Sequence, residues 1–183
     1  MKIVPVSIVL ALCGALAGCG AFGGGAAATK VPGPQAVARL ESRSGSSVSG
    51  EARFVQAGEG VQLTVDVAGL TPNAEQGFHV HDKGDCSAPD AASAGGHFNP
   101  TGKPHGGQDG AEHHAGDMPN LKADAQGAAH ATVTLPGLQV AVGPTGVVGR
   151  AVVIHQNADD YRSQPAGNSG PRVACGVIVP AGS

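Results

Sequence analysis

Six of the eight histidines in this 183-residue chain, together with one aspartate, stand at spacings that suit metal ligation. His79 and His81 flank Val80 in the strand-like run Gly77-Phe78-His79-Val80-His81. In a strand, residues i and i+2 share a face about 6.6–6.8 Å apart, so both imidazoles can converge on one ion while Val80 faces a core. His97 follows in Gly95-Gly96-His97-Phe98-Asn99-Pro100, His105 in Lys103-Pro104-His105-Gly106-Gly107, and then His114-Ala115-Gly116-Asp117. His155 closes the apolar run Val152-Val153-Ile154. Scattered, solvated histidines would not be interleaved in this way with glycine-rich turns.

The elements that must hold these residues read as strands. Val61, Leu63, Val65 and Val67 alternate with Gln62, Thr64 and Asp66, a period of two that ends at Gly69 and Thr71-Pro72-Asn73. Ala131, Val133 and Leu135 alternate with His130, Thr132 and Thr134 in the same way. Further strands are expected over 35–41, 48–56, 76–81, 120–123, 149–155 and 173–179. No long window has an apolar period of 3.6, so eight short strands with Gly and Pro turns predict an all-β antiparallel sandwich or barrel. Two stretches, 82–117 and 156–172, lack any hydrophobic period. Loops of that length in a compact domain are functional or disordered, and these hold most of the metal-capable residues.

The start of the chain reads as an address. Met1 and Lys2 precede an apolar run of about 15 residues, too short for a bilayer core that needs roughly 20 helical residues but suited to a secretory signal. Leu16-Ala17-Gly18-Cys19 resembles the lipobox of bacterial lipoproteins, which implies a signal over 1–18 and a lipidated Cys19 anchored to a membrane of the bacterial envelope. Residues 19–34 are small, Gly-rich and then Pro-rich, a tether ahead of a domain over 35–183. With Cys13 removed and Cys19 acylated, Cys86 and Cys175 remain, an even pair expected to form a disulfide in an exported protein, two buried thiols being the alternative.

Composition excludes other classes. A formal net charge of -3, becoming -4 once Lys2 is lost with the signal, leaves no basic stripe. One Tyr, four Phe and no Trp leave no stacking platform, so nucleic acid is not a partner. Gly and Pro, 30 and 13 residues, stay below the share at which disorder becomes the default.

The ordered set H-x-H, H, H, H-x-x-D and a strand-terminal H resembles the copper,zinc superoxide dismutases, as do the blocks GFHVH, SAGGHFNP, HGG, HAGDMPNL, GRAVVIH and PRVACGVI. The resemblance spans about residues 35–180 and implies an eight-stranded Greek-key barrel with two long functional loops. It implies copper on His79, His81, His97 and His155, and zinc on His97, His105, His114 and Asp117, with His97 shared. Four imidazoles suit a copper that changes oxidation state, and three His with a carboxylate suit a closed zinc site. The implied activity is dismutation of superoxide to oxygen and hydrogen peroxide, copper cycling between Cu(II) and Cu(I), with His97 supplying a proton and Arg172 guiding the anion. Asp159 matches the aspartate that links the two sites, Cys86 and Cys175 match the family disulfide, and a homodimer is a possible assembly.

Cys86 lies five residues after His81, unlike the eukaryotic pattern and similar to the bacterial branch, and only sixteen residues separate His155 from Arg172, so the steering loop is reduced. His113 competes with His114 for zinc, but the H-x-x-D spacing favours His114. Asp160 is an alternative to Asp159. His130 on a polar face, Lys103 and Lys122 read as solvated groups. A metal-buffering envelope lipoprotein would use the same ligands without turnover. A zinc hydrolase needs an open zinc position and a base that the sequence does not offer.

Overall fold

The computed structural model describes Lys2 and residues 33–182. The expected signal and the tether up to residue 32, Cys19 included, lie outside the described residues apart from Lys2. The described chain forms nine strands and one short 3-10 turn at Ala92–Ala94, with no α-helix among the described residues. The strands are β1 (Gln35–Ser42), β2 (Ser49–Ala57), β3 (Gly60–Ala68), β4 (Glu75–Gln76), β5 (Phe78–His81), β6 (Leu121–Lys122), β7 (Ala129–Pro136), β8 (Ala151–His155) and β9 (Arg172–Pro180).

Seven of them make one curled antiparallel sheet, a half-barrel, in the order β5-β8-β9-β1-β2-β3-β7, while β4 and β6 pair separately. The all-β expectation holds, and one of the eight expected strands turns out to be two. The run 76–81 breaks at Gly77, where the chain changes partner. Glu75 and Gln76 pair with Lys122 and Leu121. The Gly77 N–H then donates to the Asn157 carbonyl at 2.8 Å and its carbonyl accepts from the His155 N–H at 2.8 Å, so β5 continues along β8 instead.

Alternation sorts the side chains. Leu63 and Val65 of β3, Phe54 of β2, Val133 and Leu135 of β7 and Ile178 of β9 point inward, with Phe78 and Val80 of β5 and Val152 and Ile154 of β8, into one hydrophobic cluster. Burying each such side chain is worth about 1.5–3 kcal/mol. Unlike β3, whose polar face meets solvent, β5 and β8 are buried on both faces. The outer face of β8, Ala151 and Val153, packs with Ala91, Ala94 and the Cys86–Cys175 disulfide. The outer face of β5 carries His79 and His81. The loop after β5 therefore acts as a second layer over these two strands, and the disulfide ties that layer to β9.

The disulfide spans 89 residues, so it removes much of the freedom of the unfolded chain. Replacing both cysteines by serine should cost about 2–5 kcal/mol of stability. Denaturant titration of the metal-free protein measures this; an unchanged midpoint would contradict it.

Candidate metal centre

The free edge of β5 fixes the register of the site. One edge pairs with β8. At the other, the Val80 N–H donates to the Gly116 carbonyl at 2.9 Å and the Val80 carbonyl accepts from the Phe98 N–H at 2.8 Å, while the Gly116 N–H donates to the Phe98 carbonyl at 2.9 Å. These bonds set His97 opposite His81 and Asp117 opposite His79. Gly116 is required there, since a Cβ would lie 2.2 Å from the Val80 carbonyl oxygen. His155 ends β8 beside β5 and faces Arg172 across the β8–β9 ladder.

Four ring nitrogens converge in one set, from His79, His81, His97 and His155, all within 4.8 Å of one another and buried. Their tautomers follow from the second nitrogen of each ring. His81 Nδ1 lies 2.9 Å from the Gly95 carbonyl and His155 Nδ1 3.1 Å from the Gly170 carbonyl, so both must carry the proton. Both Nε2 atoms then present lone pairs, and they face each other at 3.4 Å. Two lone pairs do not hydrogen-bond. They do suit one cation, because nitrogens about 2.0–2.1 Å from a tetrahedral metal lie roughly 3.3 Å apart.

The second set is His97, His105, His114 and Asp117. The Nδ1 atoms of the three histidines stand 2.7, 3.0 and 3.4 Å from Asp117 Oδ1. Asp117 Oδ2 accepts from the main-chain N–H groups of His114 and Gly106 at 2.8 and 3.1 Å, which leaves Oδ1 for the centre. Asp159 joins the sets. Its Oδ2 lies 2.8 Å from His79 Nε2 and its Oδ1 2.9 Å from His105 Nε2. A histidine that donates one N–H to a carboxylate turns the other nitrogen, more basic, toward a metal.

The buried side-chain nitrogens without a hydrogen-bond partner among the described residues are His79 Nδ1, His97 Nε2, His105 Nδ1 and His114 Nδ1. All four point into these two sets. Such orphaned groups cost free energy unless something coordinates them, and an all-imidazole site beside a His₃Asp site fits copper beside zinc.

Burial pushes His79 down to about 4, against the Asp159 hydrogen bond, and His155 to about 3; it also holds His81 well below the ordinary 6.5 and lowers His114. These imidazoles are therefore neutral donors at physiological pH. Burial would lower His105 too, but Asp117 and Asp159 on its two nitrogens raise it to about 9. Burial would raise both carboxyls, yet His105 with His97 or His79 and main-chain N–H groups hold Asp117 and Asp159 below the usual carboxylate range.

The sequence matches the family described as copper/zinc superoxide dismutase (SODC) over residues 48–178. The chain belongs to the copper/zinc superoxide dismutase family. It is 44% identical over 135 residues to superoxide dismutase [Cu-Zn] 2 of Aquifex aeolicus, covering 72% of this chain and 79% of that one. It is 47% identical over 152 residues to superoxide dismutase [Cu-Zn] of Saccharomyces cerevisiae, covering 79% and 96%. The crystal structure of a SOD-like protein from Bacillus subtilis superimposes with a TM-score of 0.70 at 36% identity, covering 80% of this chain and 98% of that one.

Like others of the copper/zinc superoxide dismutase family, the chain carries complete copper and zinc ligand sets, at His79, His81, His97 and His155 and at His97, His105, His114 and Asp117. His113 turns its Nδ1 to the His114 carbonyl and joins neither set. Exposed His130 pairs with Asp66. Asp160 binds Ser163 and local N–H groups, Lys103 the Ala111 carbonyl and Lys122 Glu75.

Arg172 lines a cavity of about 330 Å³ with His81, His97 and His155. Its terminal nitrogens donate to the carbonyls of Ala91 at 2.7 Å and Gly95 at 2.6 Å. The Gly95 carbonyl thus serves both Arg172 and His81. Asn120, which lies in the HAGDMPNL block with no role legible there, clamps Asp159: its Nδ2 donates to the Asp159 carbonyl at 3.0 Å and its Oδ1 accepts the Asp159 N–H at 2.8 Å.

The shifts give the metal-free protein a bell-shaped stability profile. Below about pH 6.5 the unfolded chain protonates His79 and His155 while the fold resists until about 4 and 3, so stability falls as pH falls. His105, raised to about 9, contributes stability that is complete below 6.5 and lost as pH rises through 9. Calorimetry of the metal-free protein should place its highest Tm near pH 6.5, with the steeper loss on the acid side; a Tm flat from pH 6.5 to 4 would contradict this.

Proposed function

We propose that this chain is an exported, lipid-anchored superoxide dismutase that turns over superoxide in the bacterial envelope. The complete pair of buried ligand sets joined by His97 carries this reading. Copper, when bound, supplies the one-electron couple by which one superoxide is oxidised to oxygen and a second, with two protons, is reduced to hydrogen peroxide.

The chain's own residues do the rest. Arg172 keeps its charge despite the burial that lowers its pKa, because guanidinium does not lose its proton in proteins. Both terminal nitrogens are anchored to carbonyls, so the cation is held still at the wall of the cavity. On a chain of formal charge -3 this fixed cation gives an anionic substrate a local positive field to enter. His97, whose Nδ1 faces Asp117, presents Nε2 within the copper set, where that nitrogen can hold a proton for the departing peroxide. Asp159 orients the rings of His79 and His105, and Asp117 that of His97.

Support for export comes from the Leu16-Ala17-Gly18-Cys19 block after an apolar run and from the Cys86–Cys175 disulfide, which persists in oxidising compartments. Mass spectrometry of the mature N-terminus should find Cys19 first and acylated. An unmodified terminus downstream of Cys19 would reject the anchor.

Purified full chain loaded with one copper and one zinc should dismutate superoxide, and copper chelation should abolish turnover. Full loading without turnover would favour metal buffering instead. Arg172→Ala should lower the rate by about tenfold or more at low ionic strength and flatten its salt dependence, with both metals retained. A rate equal to that of the unaltered protein at low ionic strength would reject the guiding role.

A further inference from the structure

His105 differs from the ligands on strands in how its main chain is held. His79, His81 and His155 lie in β5 and β8, whose backbones pair with one another. His105 lies in the loop after β5, and both of its main-chain polar groups go to one side chain of a different loop. The His105 N–H donates to Gln164 Oε1 at 2.9 Å, and Gln164 Nε2 donates to the His105 carbonyl at 2.8 Å. A carboxamide is suited to this, offering an acceptor and a donor side by side to the N–H and C=O of one residue.

The rest of the Gln164 loop bears on the same ligand. Asp159 Oδ1 lies 2.9 Å from the His105 ring, Tyr161 packs on Gly107 two residues beyond His105, and Gly167 covers the Asp159–His105 pair. A Cβ on Gly167 would lie 1.7 Å from Asp159 Oδ1 and 2.8 Å from His105 Nε2, and the φ of +63° there also favours glycine. His105 is thus gripped by the 159–167 segment at its ring and at its backbone.

We propose that Gln164 is a positioning residue for the zinc site, holding the backbone of His105 so that Nδ1 stays aimed at the metal, and that this clasp makes the loop between β8 and β9 a determinant of zinc retention. The role rests on zinc occupying His97, His105, His114 and Asp117. The clasp acts on a ligand of zinc alone, since His105 is absent from the copper set. Losing it should therefore weaken zinc selectively.

The test compares the full chain, loaded with copper and zinc, with Gln164→Met, which keeps the bulk and removes both bonds, and Gln164→Ala. Ser163→Ala, which removes a bond to Asp160 but none to His105, is the control for general loosening of the loop. Partners that orient a ligand are worth about 10–100-fold in metal affinity. Zinc transfer to a chromogenic chelator should be about 10–100-fold faster in both Gln164 variants and near the unaltered rate in Ser163→Ala, with the Cu(II) paramagnetic resonance signal retained. With cobalt in the zinc site, the visible bands of both Gln164 variants should also shift. Zinc release within about twofold of the unaltered rate in Gln164→Met, or equal acceleration in Ser163→Ala, would overturn the role of Gln164. If the unaltered chain binds no zinc, the zinc assignment itself fails, a result distinct from either.

Discussion

The unpaired edge of β5 is the constraint on which the centre is built. A four-residue strand buried on both faces cannot leave its N–H and C=O groups without partners, and water does not reach them. The chain answers by drawing two loop segments, around Phe98 and Gly116, into hydrogen bonds along that edge. Those bonds bring His97 opposite His81 and Asp117 opposite His79. Metal ligands widely separated in sequence therefore meet by the same backbone rules that pair strands, and the shared ligand His97 falls between the two sets because it lies on the paired segment.

A second constraint is electrical. Burial keeps His79, His81 and His155 neutral, which leaves lone pairs available to a cation. The carboxylates act the other way on His105, whose proton must leave before zinc can bind Nδ1. Asp159 touches both rings, so a change in charge at either site is felt at the other through one carboxylate. Asn120 and Gln164 hold the backbones of Asp159 and His105, and the geometry of that link is set by amide side chains rather than by the ligands themselves.

Much of this was legible in the sequence, for identifiable reasons. The alternation in β3 and β7 mirrors a sheet with one wet face, and the ligand blocks stand out because a histidine is readable at its own position. The break at Gly77 was not legible, because it follows from where β6 and Asn157 lie in space. Gln164 lies in no motif, and Asn120, although it falls within the HAGDMPNL block, shows no role there, because their partners are 59 and 39 residues away. The same holds for the carbonyls of Ala91 and Gly95 that orient Arg172 from 81 and 77 residues away. Residues that act by chemistry leave a local trace, whereas residues that act by holding a backbone leave one only in the fold.

The strict alternation of Phe78, His79, Val80 and His81 has a consequence for how the chain avoids error while folding. A slip of β5 by one residue against β8 would turn two imidazoles toward Phe54 and Leu63 and lift Phe78 and Val80 out of the hydrophobic cluster. Such a strand would bury polar rings without partners and lose apolar burial at once. The misaligned form is penalised twice before any metal arrives, so the motif that later ligates copper first serves the nascent sheet as its ruler.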